Sequence, residues 1–124
     1  MNQLKILYVD DDIINRKLLE TILRKNPKVY ETLEAKDGQE ALEILNKNPD
    51  VDFVLLDILM PRLDGIETLK YMKKDPRFSK IPVIALSTDE TQKGKAIDAG
   101  ANDFINKPIK EQELNQKIDQ FLTL

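Results

Sequence analysis

Charged and polar side chains lie at the ends of four short apolar stretches of this chain. Asp10 and Asp11 follow the first stretch, and Asp57 follows the third. Ser87 ends the fourth stretch, and Lys107 comes directly after the fifth. If these ends meet at one edge of a sheet, they bring together three carboxylates, a hydroxyl group and an ammonium group.

The three carboxylates predict a site for a hard divalent cation. Neighbouring acids in a partly buried cleft repel one another, and a cation removes that conflict. Mg²⁺ prefers oxygen ligands and commonly combines one or two carboxylates with phosphate oxygens. Nucleotide-binding α/β proteins instead place glycines at the junction after the first strand, where backbone N–H groups hold phosphate. We therefore expect Asp10 and Asp11 to bind Mg²⁺, and the cation to bind a phosphoryl group.

Asp57 is the predicted nucleophile. A carboxylate can attack phosphorus and form an aspartyl-phosphate. Phosphoryl transfer depends mainly on positioning and on stabilising the negative charge of the transferring group. Ser87 and Lys107 supply a hydroxyl donor and a compact positive charge for this purpose.

Composition excludes several classes of function. The 124 residues predict one domain, spanning residues 1–124. The chain has no cysteine and no histidine, so disulfides, thiol nucleophiles, histidine bases and a phosphohistidine carrier are excluded. The 19 basic and 22 acidic residues give a net charge of −3, which argues against nucleic-acid binding.

The chain also lacks the sequence signals of membrane insertion and export. No apolar run approaches the roughly 20 residues that a membrane span needs. The N-terminal residues have neither the basic start nor the long apolar stretch of a signal peptide. The sequence therefore predicts a soluble, cytoplasmic protein without membrane contact.

Strand-like and helix-like patterns alternate five times along the chain. The predicted strands are Lys5–Val9, Val29–Ala35, Val51–Leu56, Ile81–Ser87 and Asn102–Asn106. Apolar residues at helical spacing follow them: Leu18, Leu19, Ile22 and Leu23; Ala41, Leu42, Ile44 and Leu45; Ile66, Leu69 and Met72; and Leu114, Ile118, Phe121 and Leu122. The fourth helix, from Glu90 to Ala99, is weakly apolar, and Gly100 is its expected C-cap. This alternation predicts an α/β fold with a parallel sheet and helices on both faces, the second strand lying at an edge.

Four short motifs carry a family resemblance. They are VDDD (Val9–Asp12), LLDILMPRLDG (Leu55–Gly65), ALST (Ala85–Thr88) and INKP (Ile105–Pro108). In this order and spacing, the chain resembles the receiver domain of two-component response regulators, the CheY-like family. The resemblance extends from Lys5 to Phe121. It implies a doubly wound, flavodoxin-like (βα)5 fold with five parallel strands in the order 2-1-3-4-5.

The resemblance implies specific roles for the acidic residues. Asp57 corresponds to the phosphorylated residue, and Asp10 and Asp11 correspond to the acidic pair that binds Mg²⁺. The backbone carbonyl of Leu59 would complete the protein ligands, and Mn²⁺ is expected to substitute for Mg²⁺.

Further residues are assigned by the same resemblance. Ser87 corresponds to the switch hydroxyl and Lys107 to the family's lysine, with a cis peptide bond before Pro108. Phe104 is expected to move between exposed and buried positions with phosphorylation.

Three residues are expected to set the lifetime of the phosphoryl group. Leu59 and Asp89 are predicted to lie beside the path of the attacking water. Thr88 adds bulk near Asp57. Because Leu59 cannot orient a water molecule, the sequence predicts slow dephosphorylation.

The expected partners follow from the resemblance. The phosphoryl donor would be a phosphohistidine on a histidine kinase or a histidine phosphotransfer protein. The downstream target would be a protein bound by the face of helix 4, strand 5 and helix 5. We expect a monomer or a weak, phosphorylation-dependent dimer that is not an enzyme beyond its own phosphorylation and slow autodephosphorylation.

The domain organisation leaves two alternatives open. No output domain is recognised between residues 1 and 124, which favours a single-domain receiver. A receiver excised from a larger regulator or from a hybrid histidine kinase is the alternative, and Asn15 resembles the phosphorelay type.

Two other functional classes are less compatible with the residues at these positions. Phosphohydrolases with an aspartate nucleophile place a second acid two residues later, where this chain has Leu59. A flavodoxin-like FMN carrier would need a phosphate-binding loop where this chain has three aspartates. Asp12 and Asp64 are interpreted as helix caps and not as part of the reactive site.

Overall fold

The computed structural model describes residues 3–60 and 64–122 of the chain. The side chains of Phe121 and Leu122, predicted to complete the last apolar stripe, lie outside the described part. Residues 61–63 of the second motif, LLDILMPRLDG, lie outside it as well.

Five strands alternate with five helices, as the sequence predicts. The strands are β1 (Leu4–Val9), β2 (Val29–Ala35), β3 (Phe53–Asp57), β4 (Val83–Ser87) and β5 (Asp103–Asn106). The helices are α1 (Ile13–Lys25), α2 (Gly38–Lys47), α3 (Gly65–Lys74), α4 (Lys93–Asp98) and α5 (Glu111–Leu122), with a 3₁₀ turn at Glu90–Gln92 before α4. The third and fourth strands each begin two residues later than predicted, and β3 extends to include Asp57.

All strand pairs are parallel, and the strand order is β2-β1-β3-β4-β5. The predicted fold class and strand order are therefore confirmed. The alternating strand β2 lies at an edge, as expected, while the nearly all-apolar strands β1, β3 and β4 are central. Central strands are covered on both faces, which is why alternation disappears from their sequences.

Side chains of the central strands alternate between two cores, because successive strand residues point to opposite faces. One core packs against α2 and α3 and includes Leu7, Val9, Val54, Leu56, Val83, Ala85, Leu45, Leu69 and Met72. The other packs against α1 and α5 and includes Ile6, Tyr8, Phe53, Leu55, Ile84, Leu86, Leu19, Leu23, Leu114 and Ile118.

The predicted apolar stripe of α1 is wrong at one position. Leu19, Ile22 and Leu23 are buried, but Leu18 is 42% exposed. On a helix of 3.6 residues per turn, Leu18 lies at the margin of the stripe, about 90° from the centre of the face formed by the other three, so it is left exposed. Ile13 joins it among the exposed apolar residues of this helix.

Helix ends follow the predicted capping residues. The Asp12 carboxylate accepts a hydrogen bond from the backbone N–H of Ile14 at 2.9 Å, and Asp64 accepts one from Glu67 at 2.9 Å. Both predicted caps are confirmed. Gly100 follows α4 with a φ of +115°, a conformation that glycine adopts without a steric cost.

The fourth helix is shorter than predicted. Regular α-helix covers Lys93–Asp98, and the residues before it form the 3₁₀ turn. Ala96 is its buried residue, which matches the weak apolar pattern of this segment. Within the described ranges, none of the helices has the length and apolar character needed to cross a membrane.

Candidate functional site at the carboxyl edge of the sheet

The parallel sheet brings the predicted site residues to one edge. Asp10 follows β1, Asp57 ends β3, Ser87 ends β4, and Lys107 follows β5. Neighbouring strands are in register there, with Asp57 opposite Leu86 and Ser87 opposite Asn106. Ligand sites of doubly wound sheets lie beyond the carboxyl ends of their strands.

The three predicted metal ligands form one cluster. One carboxylate oxygen from each of Asp10, Asp11 and Asp57 can be chosen so that all three lie within 4.8 Å of one another. Asp10 and Asp57 are buried, whereas Asp11 is exposed. A set of hard oxygen donors open to solvent on one side suits Mg²⁺, which retains several water ligands. The residues present therefore fit the expected cation.

Lys107 bridges two of these carboxylates. Its Nζ lies 2.8 Å from Oδ2 of Asp10 and 3.3 Å from Oδ1 of Asp57. Burial lowers the pKa of Lys107, but the hydrogen bond to Asp10 and the charges of both carboxylates raise it, and the net pKa is above its ordinary value. When all three carboxylates are ionised, one ammonium leaves two negative charges uncompensated, which matches the charge of a divalent cation.

The carboxyl group of Asp57 is strongly perturbed. Burial, together with the negative charge of Asp10, raises the pKa of Asp57 to about 7, and Lys107 partly opposes that shift. The side chain is thus held close to the midpoint of its ionisation at neutral pH. A perturbed acid inside a charged cluster is typical of a functional site.

Asp10 is held through all of its polar groups. Its N–H donates to the Ala35 carbonyl at 3.1 Å, and its Oδ1 accepts from the N–H of Asp12 at 2.9 Å. Its carbonyl accepts from Nη1 of Arg16 at 2.8 Å. The sequence analysis did not identify Arg16, because an arginine inside an amphipathic helix gives no signal of a long-range contact.

Gly65 ends the second motif, and the structure gives it a packing role near the site that the sequence does not indicate. A Cβ atom at this position would lie 2.2 Å from the Asp57 carbonyl oxygen and 2.6 Å from Cα of Ile58. The N–H of Gly65 donates to the Ile58 carbonyl at 2.9 Å. The start of α3 therefore packs directly on the strand end that presents Asp57, and a glycine is needed there.

Ser87 is buried at the end of β4, where its hydroxyl already has a partner. Its Oγ accepts a hydrogen bond from the backbone N–H of Asp89 at 3.0 Å. The Asp89 carboxylate accepts hydrogen bonds from the N–H of Thr91 at 3.0 Å and from Gln92 at 3.5 Å. Asp89 thus caps the turn before α4, and Thr88 between these residues is exposed.

The remaining predicted residues surround this cluster. Leu59 is 53% exposed two residues after Asp57, and Phe104 is buried in the core. The Lys107–Pro108 peptide bond is cis, as the resemblance implies. The N–H of Lys107 donates to the Ser87 carbonyl at 2.9 Å, which ties the lysine to the end of β4.

Comparison with known proteins identifies the same architecture elsewhere. The sequence profile of the response regulator receiver domain matches residues 6–119. A protein-glutamate methylesterase/protein-glutamine glutaminase of Pyrococcus horikoshii is 41% identical over 122 residues, which cover 93% of this chain and 31% of that protein. The chain therefore spans about a third of that relative's length, and the activity named for the whole relative is not assigned here.

Two solved structures are closely similar to the whole fold. The response regulator domain of Thermotoga maritima CheB has a TM-score of 0.87 and 34% identity, covering 99% of this chain and 98% of that one. A CheX-CheY-BeF3-Mg²⁺ complex from Borrelia burgdorferi has a TM-score of 0.86 and 30% identity, covering 96% of this chain and 89% of that one.

Proposed function

The chain belongs to the response regulator receiver domain family, and on that premise we propose that it is a signalling switch phosphorylated on Asp57. The observation that carries the proposal is the position of the Asp57 carboxylate. It belongs to an acidic cluster suited to Mg²⁺ and lies 3.3 Å from the ammonium group of Lys107, which also pairs with Asp10.

The phosphoryl transfer follows from these contacts. A carboxylate oxygen of Asp57 forms a bond to phosphorus while the phosphorus–nitrogen bond of a donor phosphohistidine breaks, and the imidazole leaves with the bonding electron pair and takes up a proton. Lys107 compensates negative charge on the phosphoryl oxygens, since it already lies 3.3 Å from the Asp57 carboxylate. Positioning and charge compensation are the main requirements of such a transfer.

Mg²⁺ would be held by Asp10, Asp11 and Asp57, together with the predicted backbone carbonyl of Leu59. When bound, the cation would reduce repulsion between the acidic residues and the phosphoryl oxygens. Mn²⁺ has similar oxygen preferences and should substitute. The relative from Borrelia burgdorferi, in complex with Mg²⁺ and beryllofluoride, supports this part of the proposal by similarity.

A switch agrees with the site better than a phosphohydrolase does. Leu59 occupies the position where an aspartate-nucleophile hydrolase needs its second acid, and its apolar side chain cannot transfer a proton. The phosphorylated residue belongs to the chain itself, so the proposed chemistry is self-phosphorylation followed by slow hydrolysis.

The structural response would begin at Ser87. Its hydroxyl oxygen accepts from the Asp89 N–H, which leaves its O–H able to donate, and donation to a phosphoryl group on Asp57 would draw the side chain toward the site. That movement would shift the start of the segment leading into α4 and open space into which the buried Phe104 can move. The face made by α4, β5 and α5 is therefore the proposed surface for a downstream protein.

The phosphodonor is proposed to bind at the beginning of α1. Ile13 and Ile14 are 55% and 72% exposed, and they directly follow the acidic residues of the site. A phosphohistidine has to approach this edge to reach Asp57, so an apolar surface beside it can orient the donor. A histidine kinase or a histidine phosphotransfer protein provides the chemistry required.

The direct test is phosphorylation of the purified protein by acetyl phosphate with Mg²⁺. The intact mass should increase by one phosphoryl group in the wild-type protein and remain unchanged in Asp57→Ala. Equal phosphorylation of both proteins would contradict the assignment. A pull-down with the beryllofluoride form, compared with Asp57→Ala, would then identify proteins that bind the phosphorylated state.

A further inference from the structure

We propose that Arg16 is a positioning residue for the acidic pair, fixing the turn that carries Asp10 and Asp11. The inference rests on the proposed function, because it gives that pair the role of metal ligands. Arg16 lies on α1 and is not one of those ligands.

Arg16 links helix α1 and strand β2 to the turn that follows β1. Its Nη1 donates to the backbone carbonyl of Asp10 at 2.8 Å, and its Nε donates to Oε1 of Glu34 at 3.2 Å. The side chain is only 13% exposed, although it lies on a surface helix. Residues of β2 and α1 thereby hold the end of β1 in place.

Glu34 is itself fixed from inside the protein. Its Oε2 accepts a hydrogen bond from the hydroxyl of Tyr8 at 3.1 Å, and Tyr8 is fully buried in β1. The two oxygens of Glu34 therefore have separate partners, a guanidinium and a phenol. Because both oxygens of this carboxylate are bonded, its position is fixed. The guanidinium group of Arg16 that donates to it is therefore held in one orientation.

The carbonyl of Asp10 is the important contact because of the geometry of the peptide bond. That carbonyl lies in the same plane as the N–H and Cα of Asp11. Asp11 is exposed and offers the third oxygen of the cluster. By holding the Asp10 carbonyl, Arg16 sets the orientation of the plane from which Asp11 extends.

Arginine is required for this arrangement. Its planar guanidinium can donate to a carbonyl and a carboxylate at once, whereas lysine presents one compact charge. Arg16→Lys therefore keeps the charge but loses one of the two contacts. Groups that orient metal ligands typically change metal affinity by about 10–100-fold when they are mutated.

A purely electrostatic role would give a different result. The positive charge of Arg16 repels a divalent cation, so removing it by Arg16→Met would strengthen Mg²⁺ binding if charge alone mattered. Arg16→Lys would then have little effect. Positioning predicts the opposite order, with Arg16→Lys weakening Mg²⁺ binding by about tenfold.

The experiment uses amide NMR of the full chain, first without metal and then during titration with MgCl₂. Arg16→Lys and Arg16→Met are compared with the wild type and with Arg24→Lys. Arg24 is the matched control, because it lies on the same helix and pairs with Glu20 on the exposed surface. Tyr8→Phe removes one hydroxyl without a change of charge and provides a second test if an Arg16 variant does not fold.

The expected result has two parts. Without metal, the amide signals of Asp10–Asp12 shift in Arg16→Lys and to a smaller extent in Tyr8→Phe, but not in Arg24→Lys. With metal, the Mg²⁺ dissociation constant rises about tenfold in Arg16→Lys and stays at the wild-type value in Arg24→Lys.

Unchanged turn signals and unchanged affinity in Arg16→Lys would overturn the proposal, as would tighter binding in Arg16→Met combined with no effect of Arg16→Lys. Failure of the wild-type protein to bind Mg²⁺ would contradict the proposed function instead. In that case the metal-free signals of Asp10–Asp12 would still decide whether Arg16 positions the turn.

Discussion

The Ser87 hydroxyl oxygen lies 3.0 Å from the backbone nitrogen of Asp89, whose N–H donates to it. This bond uses one lone pair of the hydroxyl oxygen and ties Ser87 to a local turn, on the strand next to that of Asp57. Its O–H can still donate, so a phosphoryl group on Asp57 would draw the same side chain toward the site. The start of the segment leading into α4 is therefore coupled to the site through the side chain of Ser87.

Ser87→Ala should separate phosphorylation from the structural response. The variant retains Asp57 and Lys107, so beryllofluoride should still bind in the presence of Mg²⁺. Amide shifts around Phe104 and α4 should be largely lost, because no hydroxyl is drawn toward the site. Ser79→Ala, outside the site, is the control and should show the wild-type shifts. Full shifts on the α4–β5–α5 face in Ser87→Ala would contradict the role of Ser87.

Asp11→Ala should remove most of the phosphorylation by acetyl phosphate. The variant lacks one of the three carboxylates that attract the cation. Asp12→Asn is the matched control, because Asp12 caps α1 and asparagine caps equally well. Intact mass spectrometry measures both proteins with Mg²⁺ and with EDTA. Complete phosphorylation of Asp11→Ala in EDTA would show that the site works without a metal.

The Lys107→Ala variant should still be phosphorylated to some extent, but its phosphorylation should not change the structure of the α4–β5–α5 face. Lys107 is the side chain that contacts Asp57, and its own N–H is bonded to the Ser87 carbonyl. Without it, the phosphoryl oxygens lose their link to the end of β5. Amide NMR of the phosphorylated variant should show shifts near Asp57 but few around Phe104. A wild-type pattern of shifts would show that Lys107 is not this link.

Asp57→Asn should stabilise the metal-free protein by more at pH 8 than at pH 5. The pKa of Asp57 is about 7 in the folded state and near 3.8 ordinarily, so the folded state binds more protons between these values. Folding stability from this group is therefore present at low pH and is lost as the pH rises through 7. The shift from 3.8 to about 7 is about three pKa units of about 1.4 kcal/mol each, so the gain from Asn should be on the order of 4 kcal/mol at pH 8 and about 2 kcal/mol at pH 5.

Urea unfolding in EDTA at both pH values measures this difference. Saturating Mg²⁺ should reduce the advantage of Asp57→Asn at pH 8, because the cation binds and stabilises the wild-type folded state. Equal stability of the two proteins at pH 8 without metal would show that Asp57 does not carry the ionisation cost assigned to it.

Leu59→Asn should shorten the lifetime of the aspartyl-phosphate. Leu59 is half exposed beside Asp57 and offers no hydrogen bond to an attacking water. Asp89 is engaged in capping the turn before α4, so it does not compensate in this state. Hydrolysis should become about tenfold faster if the amide lowers the barrier by about 1.4 kcal/mol. The rate at which the phosphoryl group is lost, measured with Mg²⁺ and no kinase, decides whether Leu59 limits the access of water to the aspartyl-phosphate.

The sequence was sufficient for the fold and for the proximity of the main candidate site residues, whose roles stay predictions. Parallel strands end at a common edge, so the polar residues after each apolar stretch were predicted to meet, as Asp10, Asp57 and Lys107 do. Contacts that depend on the rotation of a helix were not predictable in the same way. Leu18 was assigned to the core but is exposed, and the long side chain of Arg16 reaches a carbonyl six residues away. The capping bonds of Asp89 also depend on the local turn, which periodicity does not describe.

The pairing of Lys107 with Asp10 joins residues 97 positions apart in the chain. Closing so long a stretch of chain costs conformational entropy, so this ion pair is present only where β1 and β5 are both docked in the sheet. The position of β5 beside β4 completes the sheet and brings the ammonium group to the acids. Within the proposed function, a chain whose last strand has not docked would lack the group that couples Asp57 to the α4–β5–α5 face, so signalling output would require the complete sheet.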